Sequence, residues 1–314
     1  MGITCSSTRG IAQFSSRASL LDIVIALDSI KLIRAVAFHF RRDRLPILAK
    51  VIVALSSGPV YVRTIITTNT ADREEVSLIA QALKNMSDEN LNVDIISFPS
   101  LPHPWLLPWA HKQILATAFR SGEYSHYAYT EDDIVITASN LIHWIQMREL
   151  IGQDSPFYPS FSRIEYSRNR RGWFFTDVTS RLWLELLPKL VLPSIGGDLE
   201  LYSLPNLYQA MYLYDNTLME EYIAADEFQI HLCKELPNIN HLTWGGGGVA
   251  EASARGVSHR AVPVMFHSRN LLPIYTSTGL AHSGFLIHHA TNSYCDSDLP
   301  EGFGTVPISD LKLG

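Results

Sequence analysis

The chain has little cysteine: Cys5, Cys233 and Cys295 are three in 314 residues, an odd number set far apart. That spacing excludes a disulfide framework and a thiolate metal site, and it fits a reducing, cytoplasmic compartment. Long apolar runs are also missing. None reaches the roughly 18 residues that a membrane-crossing helix needs. Acids interrupt residues 20–28, and Lys50 interrupts residues 45–55. The N-terminus carries Arg9 and Arg17 but no apolar core followed by a small-residue cleavage site. Peripheral contact with the inner face of a membrane stays open. Basic excess is absent: 25 Lys and Arg stand against 31 Asp and Glu, a net charge of -6. This excludes a duplex-sized nucleic-acid footprint. No G-x-G-x-x-G follows the first strand and no Walker lysine occurs. The four glycines Gly245 to Gly248 allow close backbone approach but form no phosphate fingerprint.

An apolar fraction of 46% with 18% charged residues describes an ordinary globular chain, long enough to bury a full core. Without repeats or linker composition, residues 1–314 read as a single domain. Residues 20–32 are expected as a helix leading into a strand at 34–40, and a helix is expected at 45–55. A β-branched strand follows at 61–67, then an amphipathic helix at 71–85 with Asp72, Glu74 and Glu75 in its first turn, where the helix dipole favours acids. A third strand is expected at 91–98. Pro102, Pro104 and Pro108 precede a helix at 109–120. Alternation of strand and helix predicts parallel crossovers and a doubly wound α/β sheet. After a helix at 138–151, short aromatic-rich strands at 157–166, 172–179 and 206–214 and a helix at 217–225 predict a mixed half of the same sheet, flanking a cleft.

The fourth strand carries the most unusual feature. His126-Tyr-Ala-Tyr-Thr runs into Glu131-Asp132-Asp133, and Ile134-Val135-Ile136 leads out again. Three consecutive carboxylates in an apolar strand are costly unless something cationic lies beside them. A hard divalent ion, Mn²⁺ or Mg²⁺, meets that need with oxygen ligands. Open α/β sheets bind ligands at the carboxyl ends of their strands, where this triplet is expected.

With these residues in place, the chain resembles glycosyltransferases of the GT-A fold. It has a nucleotide-binding α/β half at about 34–137, an acidic Asp-x-Asp-type motif ending a strand as Glu131-Asp132-Asp133, and an acceptor half at about 138–294. Residues 107–112 with 127–133 resemble the helix and acidic strand of galactosyltransferase-like and exostosin-like enzymes. The tail His288-His289-Ala-Thr-Asn292-Ser-Tyr294 is similar to a C-terminal histidine motif that supplies a further metal ligand. The resemblance implies a nucleotide-diphospho-sugar donor, with UDP or GDP, and a glycan or lipid-linked glycan acceptor. It implies metal-dependent transfer, with a role in polysaccharide assembly. Such an ion would act as a Lewis acid on the departing diphosphate. Asp133 is the leading metal ligand and Glu131 a second, serving metal, ribose or sugar. Asp132 points the other way unless a turn rotates it. His289 fits the tail motif better than His288.

Arg41, Arg42 and Arg44 follow the first strand, where guanidinium forks suit a diphosphate; solvated loop charges are the plainer reading. Thr67, Thr68 and Asn69 end the second strand, placed for base or ribose or simply forming a turn. Lys112 is placed to reach the nucleotide or to face solvent. An inverting reaction needs a carboxylate base, for which Asp226 and Glu227 are preferred over Glu220 and Glu221; a retaining one needs none. Tyr208, Tyr212, Tyr214, Trp173 and Trp244 suit sugar stacking or a core. Arg163, Arg168, Arg170 and Arg171 read as a charged hairpin or an anion site. The same carboxylates would also serve a metal-dependent hydrolase or nucleotidyltransferase. An inactive binding module would keep them without turnover.

Overall fold

A computed structural model describes residues 29–55, 60–84, 91–101, 103–178, 186–192, 198–205, 208–228, 253–275, 283–296, 304 and 306–310. The leading sheet has five strands in the order β11-β4-β1-β2-β3: β1 (Lys31–Phe38), β2 (Tyr61–Thr68), β3 (Leu91–Ser97), β4 (His126–Glu131) and β11 (Met211–Asp215). β1 to β4 are parallel, and β11 lies antiparallel to β4. β1 is buried on both faces over seven of its eight residues, as a covered parallel strand requires. Its even positions Val36 and Phe38 pack with Leu48, Ile52, Ile79 and Leu83 from α1 (Leu45–Val53) and α2 (Arg73–Lys84). The odd positions Ala35 and Ala37 join a second core that includes Leu115 and Ala116 of α3 (His111–Ser121). Helices therefore cover both faces, and the α/β expectation holds.

Arg34, fully buried within β1, is accommodated because it donates to the carbonyls of Val51 and Ile52 at the end of α1 and to Thr64 Oγ1. Burial lowers its pKa to about 9. Local caps place the helices. Asp72 accepts the amides of Glu74 and Glu75 ahead of α2, and Gly122 ends α3 with φ of 66°. Thr137 and Asn140 form a capping box at the start of α4 (Ala138–Ile151). Asp215 caps α5 (Asn216–Ile223) through the amide of Leu218.

Three expectations are corrected. Lys31 and Leu32 belong to β1 rather than to a helix, because they pair with Tyr61 and Val62; residues 1–28 lie outside the described set. Pro104–Trp109 forms a 3₁₀ segment, in which Pro108 can donate no helical hydrogen bond, and α3 begins at His111, two residues later than expected. The second half does not extend the leading sheet except through β11. Its other strands build two further sheets. One is ordered β6-β12-β10-β9, with β6 (Tyr158–Pro159), β9 (Lys189–Leu192), β10 (Leu199–Tyr202) and β12 (Asn270–Tyr275). The other is ordered β14-β8-β7-β13-β5, with β5 (Ile134–Val135), β7 (Ser162–Ser167), β8 (Gly172–Phe175), β13 (Leu286–His289) and β14 (Val306–Pro307). No described helix is long and apolar enough to cross a membrane.

Candidate active site

The acidic triplet stands where two sheets meet. Glu131 is the last residue of β4, Asp132 and Asp133 form a turn, and β5 begins at once. β13 pairs antiparallel with β5, with His289 opposite Ile134, and the amide of Ala290 donates to the carbonyl of Asp133. This register seats His289 beside Asp133. Asn140, already fixed by the α4 capping box, donates to the carbonyls of Gly284 and Leu286 and so anchors the start of β13.

His289 Nε2 lies 3.2 Å from Asp133 Oδ2, and its Nδ1 lies 2.5 Å from Glu165 Oε1. The other Glu165 oxygen accepts the amides of Tyr294 and Cys295. One nitrogen of Arg44 donates to Asp132 Oδ1 and Asp133 Oδ2, both at 2.8 Å. The turn thus brings Asp132 to the same cation as Asp133, answering which way it points. Glu131 is held apart, accepting from Tyr208 Oη at 3.1 Å. Tyr208 in turn lies under the guanidinium of Arg163, which forms a buried bidentate pair with Asp177. Arg163 is therefore a buried part of this cluster and not a solvated hairpin charge.

These carboxylates outnumber their cations. Burial alone would raise Asp133, but the hydrogen bond and charge of His289, with Arg44 behind, hold it down at about 2. Burial and the Asp133 charge push Glu131 up to about 7 and Asp132 to about 8, in the second case against the pull of Arg44. Burial would lower His289, but its bonds to Asp133 and Glu165 raise it to about 9. Asp133 Oδ1 is buried without a hydrogen-bond partner among the described residues.

That orphaned oxygen bears on a metal ion. Asp133 presents a free buried lone pair beside His289, whose far nitrogen is fixed by Glu165; Nε2, which bonds Asp133 here, would turn to a metal on giving up its proton. No described group of three or more His, Cys, Asp or Glu side chains is disposed to hold an ion. Two protein ligands suffice for Mg²⁺-type sites completed by substrate phosphates and water. The residues fit a divalent ion in that form.

Other expected residues are placed elsewhere. Arg41 pairs with Asp43 and Arg42 with Glu74, both in solvent, because the turn before α1 aims them outward. Asn69 is used internally, accepting the amide of Phe40. Thr68 is buried at the carboxyl end of β2, its hydroxyl without a partner among the described residues. Lys112 is buried over Trp109, with Tyr222 and Phe228 also within cation–π range, rather than exposed on its helix. His288 lies on the other face of β13, between Lys50 Nζ and Asn292 Oδ1, because adjacent strand residues alternate. Asp226 is exposed in a one-turn 3₁₀ segment beside the Lys112 box, with no hydrogen bond or ion pair to the triplet among the described residues. The side chain of Glu227, together with Trp244, Gly245 to Gly248 and Cys233, falls outside the described residues. Tyr212 and Tyr214 stack on each other at 4.5 Å in the core, whereas Trp173 is partly exposed against His288.

Glu165 and Asp177 went unnoticed in the sequence. The available signal was Arg163 and Glu165, opposite charges two apart on one short strand, which must share a face.

No family model matches the chain, and no curated protein matches it. Among solved structures it is similar to the mannosyltransferase PcManGT from Pyrobaculum calidifontis in complex with GDP-Man and Mn²⁺, at 9% identity and a TM-score of 0.29, over 44% of this chain and 36% of that one. It is also similar to S. aureus TarS 1–349, at 12% identity and 0.33, over 61% and 49% of the two chains. A further structure of S. aureus TarS matches at 12% identity and 0.34, over 62% and 30%. The matched part spans less than half of each of these structures. Likeness at this level leaves the chemistry to be read from the site itself.

Proposed function

We propose that the protein is a metal-dependent glycosyltransferase acting on a nucleotide-diphospho-sugar. The observation that carries this reading is the Asp133–His289–Glu165 relay at the carboxyl end of β4, with one buried Asp133 oxygen left open. Two protein ligands form an incomplete site, and a diphosphate is the substrate group that completes it with oxygens. In this reading Asp133 and His289 hold the ion. Glu165 fixes the imidazole, and Arg44 leaves the acids to meet a phosphate oxygen. When bound, Mn²⁺ or Mg²⁺ stabilises the departing diphosphate. Glu131, held by Tyr208, is assigned to the donor sugar or ribose, and Thr68 to the base or ribose. The 314 residues act as one unit with the acceptor half beyond β5. Asp226 and Glu227 stand as bases for an inverting transfer; a retaining one needs neither. UDP and GDP donors both fit, as does a glycan or lipid-linked acceptor.

The test is thermal-shift protection and donor hydrolysis across UDP-, GDP- and CMP-sugars, with and without Mn²⁺. Protection by a sugar nucleotide that depends on Mn²⁺ supports the reading. Protection by a nucleoside triphosphate alone turns it toward a nucleotidyltransferase or hydrolase using the same carboxylates.

A further inference from the structure

Trp173 and the arginines of its hairpin have no part in the metal site, yet the fold brings them together. Trp173 stands directly opposite Tyr166 in the antiparallel pair of β7 and β8, so the two side chains share one face of the sheet. Their ring centroids lie 5.4 Å apart at 70°, and His288 of β13 meets the indole at 5.3 Å and 84°. Tyr166 and Trp173 each remain 38% exposed. Asn292 ties this ledge together: its Oδ1 accepts the amide of Tyr166 and lies 3.2 Å from His288 Nε2. It does so from a left-handed φ of 50°, which asparagine tolerates better than most residues. Aromatic rings braced in this way lose little freedom when a ligand stacks on them.

Lys50 of α1 supplies the charge. Its Nζ lies 3.1 Å from His288 Nδ1. An ammonium can only donate, so Nδ1 accepts and the ring proton sits on Nε2, which donates to Asn292. Burial, joined by the Lys50 charge, lowers the His288 pKa and keeps the ring neutral. Lys50 is thus held in place by a neutral partner that leaves its charge standing, whereas Arg44 at the start of the same helix ends on two carboxylates. Arg168 and Arg171 are exposed in the turn joining β7 and β8, and the acid beside them, Asp296, is committed to Ser167 Oγ and the Arg168 amide. A sugar ring bearing a carboxylate matches this surface: its C–H face packs on the indole and its single negative charge meets the one fixed ammonium. Rings set at 70° and 84° give successive nucleobases no parallel platform. We propose that Trp173, Tyr166, His288 and Lys50 form a surface site for an acidic glycan, a carbohydrate chain carrying uronate groups. His288 and His289 face opposite sides of β13, so this site is separate from the metal–diphosphate site and does not depend on it.

The test is an NMR titration of the 314-residue protein with an oligoglucuronate, a neutral oligoglucose of the same length and a single-stranded oligodeoxynucleotide. The oligoglucuronate is expected to bind, more weakly as salt is raised, and the neutral chain to bind several-fold less well. Trp173→Ala should weaken oligoglucuronate binding about tenfold. Trp173→Phe keeps a ring and should restore most of it, which separates lost stacking from a damaged hairpin. Lys50→Gln should weaken binding several-fold and remove most of the salt dependence. Mn²⁺-dependent nucleotide binding should be the same in all three variants as in the wild type, and its absence from the wild type would count against the proposed transfer alone. The proposal is overturned if the oligoglucuronate does not bind, if the neutral chain or the oligodeoxynucleotide binds as tightly, or if Trp173→Ala and Lys50→Gln bind it as the wild type does.

Discussion

Two buried ionic clusters lie near opposite ends of β4, and they are built to different standards. In the first, Arg148 donates to Asp215, to the carbonyls of Gly152, Gln153 and Phe157, while the second Asp215 oxygen caps α5. Every nitrogen of Arg148 and both oxygens of Asp215 are in use. The second gathers Glu131, Asp132, Asp133 and Glu165 around Arg44 and His289, leaves one Asp133 oxygen open, and pushes two acids up toward neutrality. A closed cluster holds elements together. An open one of surplus negative charge asks for a ligand.

Breaking the closed cluster should cost the most stability. Arg148→Ala leaves Asp215 buried without its partner and should lose about 3–5 kcal/mol, read by urea denaturation. The histidine beside it gives a pH signature. His126, opposite Asp215 across β4 and β11, is lowered by burial to about 4, against the small opposing pull of Asp215. The unfolded chain takes up a proton near pH 6.5 while the fold does not. His126 therefore removes stability as pH drops from about 6.5 toward 4, on the order of 3 kcal/mol, while the raised Glu131 and Asp132 add stability over the same range; the His126 share is read as the difference between the pH–stability curves of wild type and His126→Gln. In the open cluster, Glu165→Gln keeps the shape but weakens the grip on the His289 ring. It should cut Mn²⁺ affinity about 10- to 100-fold in calorimetry on the folded protein, with some loss of stability because His289 loses a buried charged partner. The smallest effect belongs to Arg41→Ala, whose pair with Asp43 is exposed; melting temperature and donor affinity should match those of the wild type.

The two clusters also differ in how far the sequence exposed them. β1 to β4 and their helices could be read locally, from β-branched runs, from Asp72 ahead of α2 and from the unbroken helix Ala138–Ile151. The triplet announced itself by charge. Glu165 did not, because its meaning comes from His289, 124 positions away, and from a pairing of two short strands with little local signal. Arg44 could be told from Arg41 and Arg42 only once the turn before α1 showed which of the three faces the acids. His288 and His289 were separable only through the register of β13 on β5.

The central claim is that Asp133 and His289 together hold a divalent ion against a diphosphate. Calorimetry of UDP and GDP binding, with and without Mn²⁺, on the wild type, Asp133→Asn and His289→Ala tests it most directly. The account predicts nucleotide binding that needs Mn²⁺ in the wild type, with at least about tenfold loss in each variant and the folded state retained. Mn²⁺-independent binding, or variants that bind the metal and nucleotide as the wild type does, would contradict it.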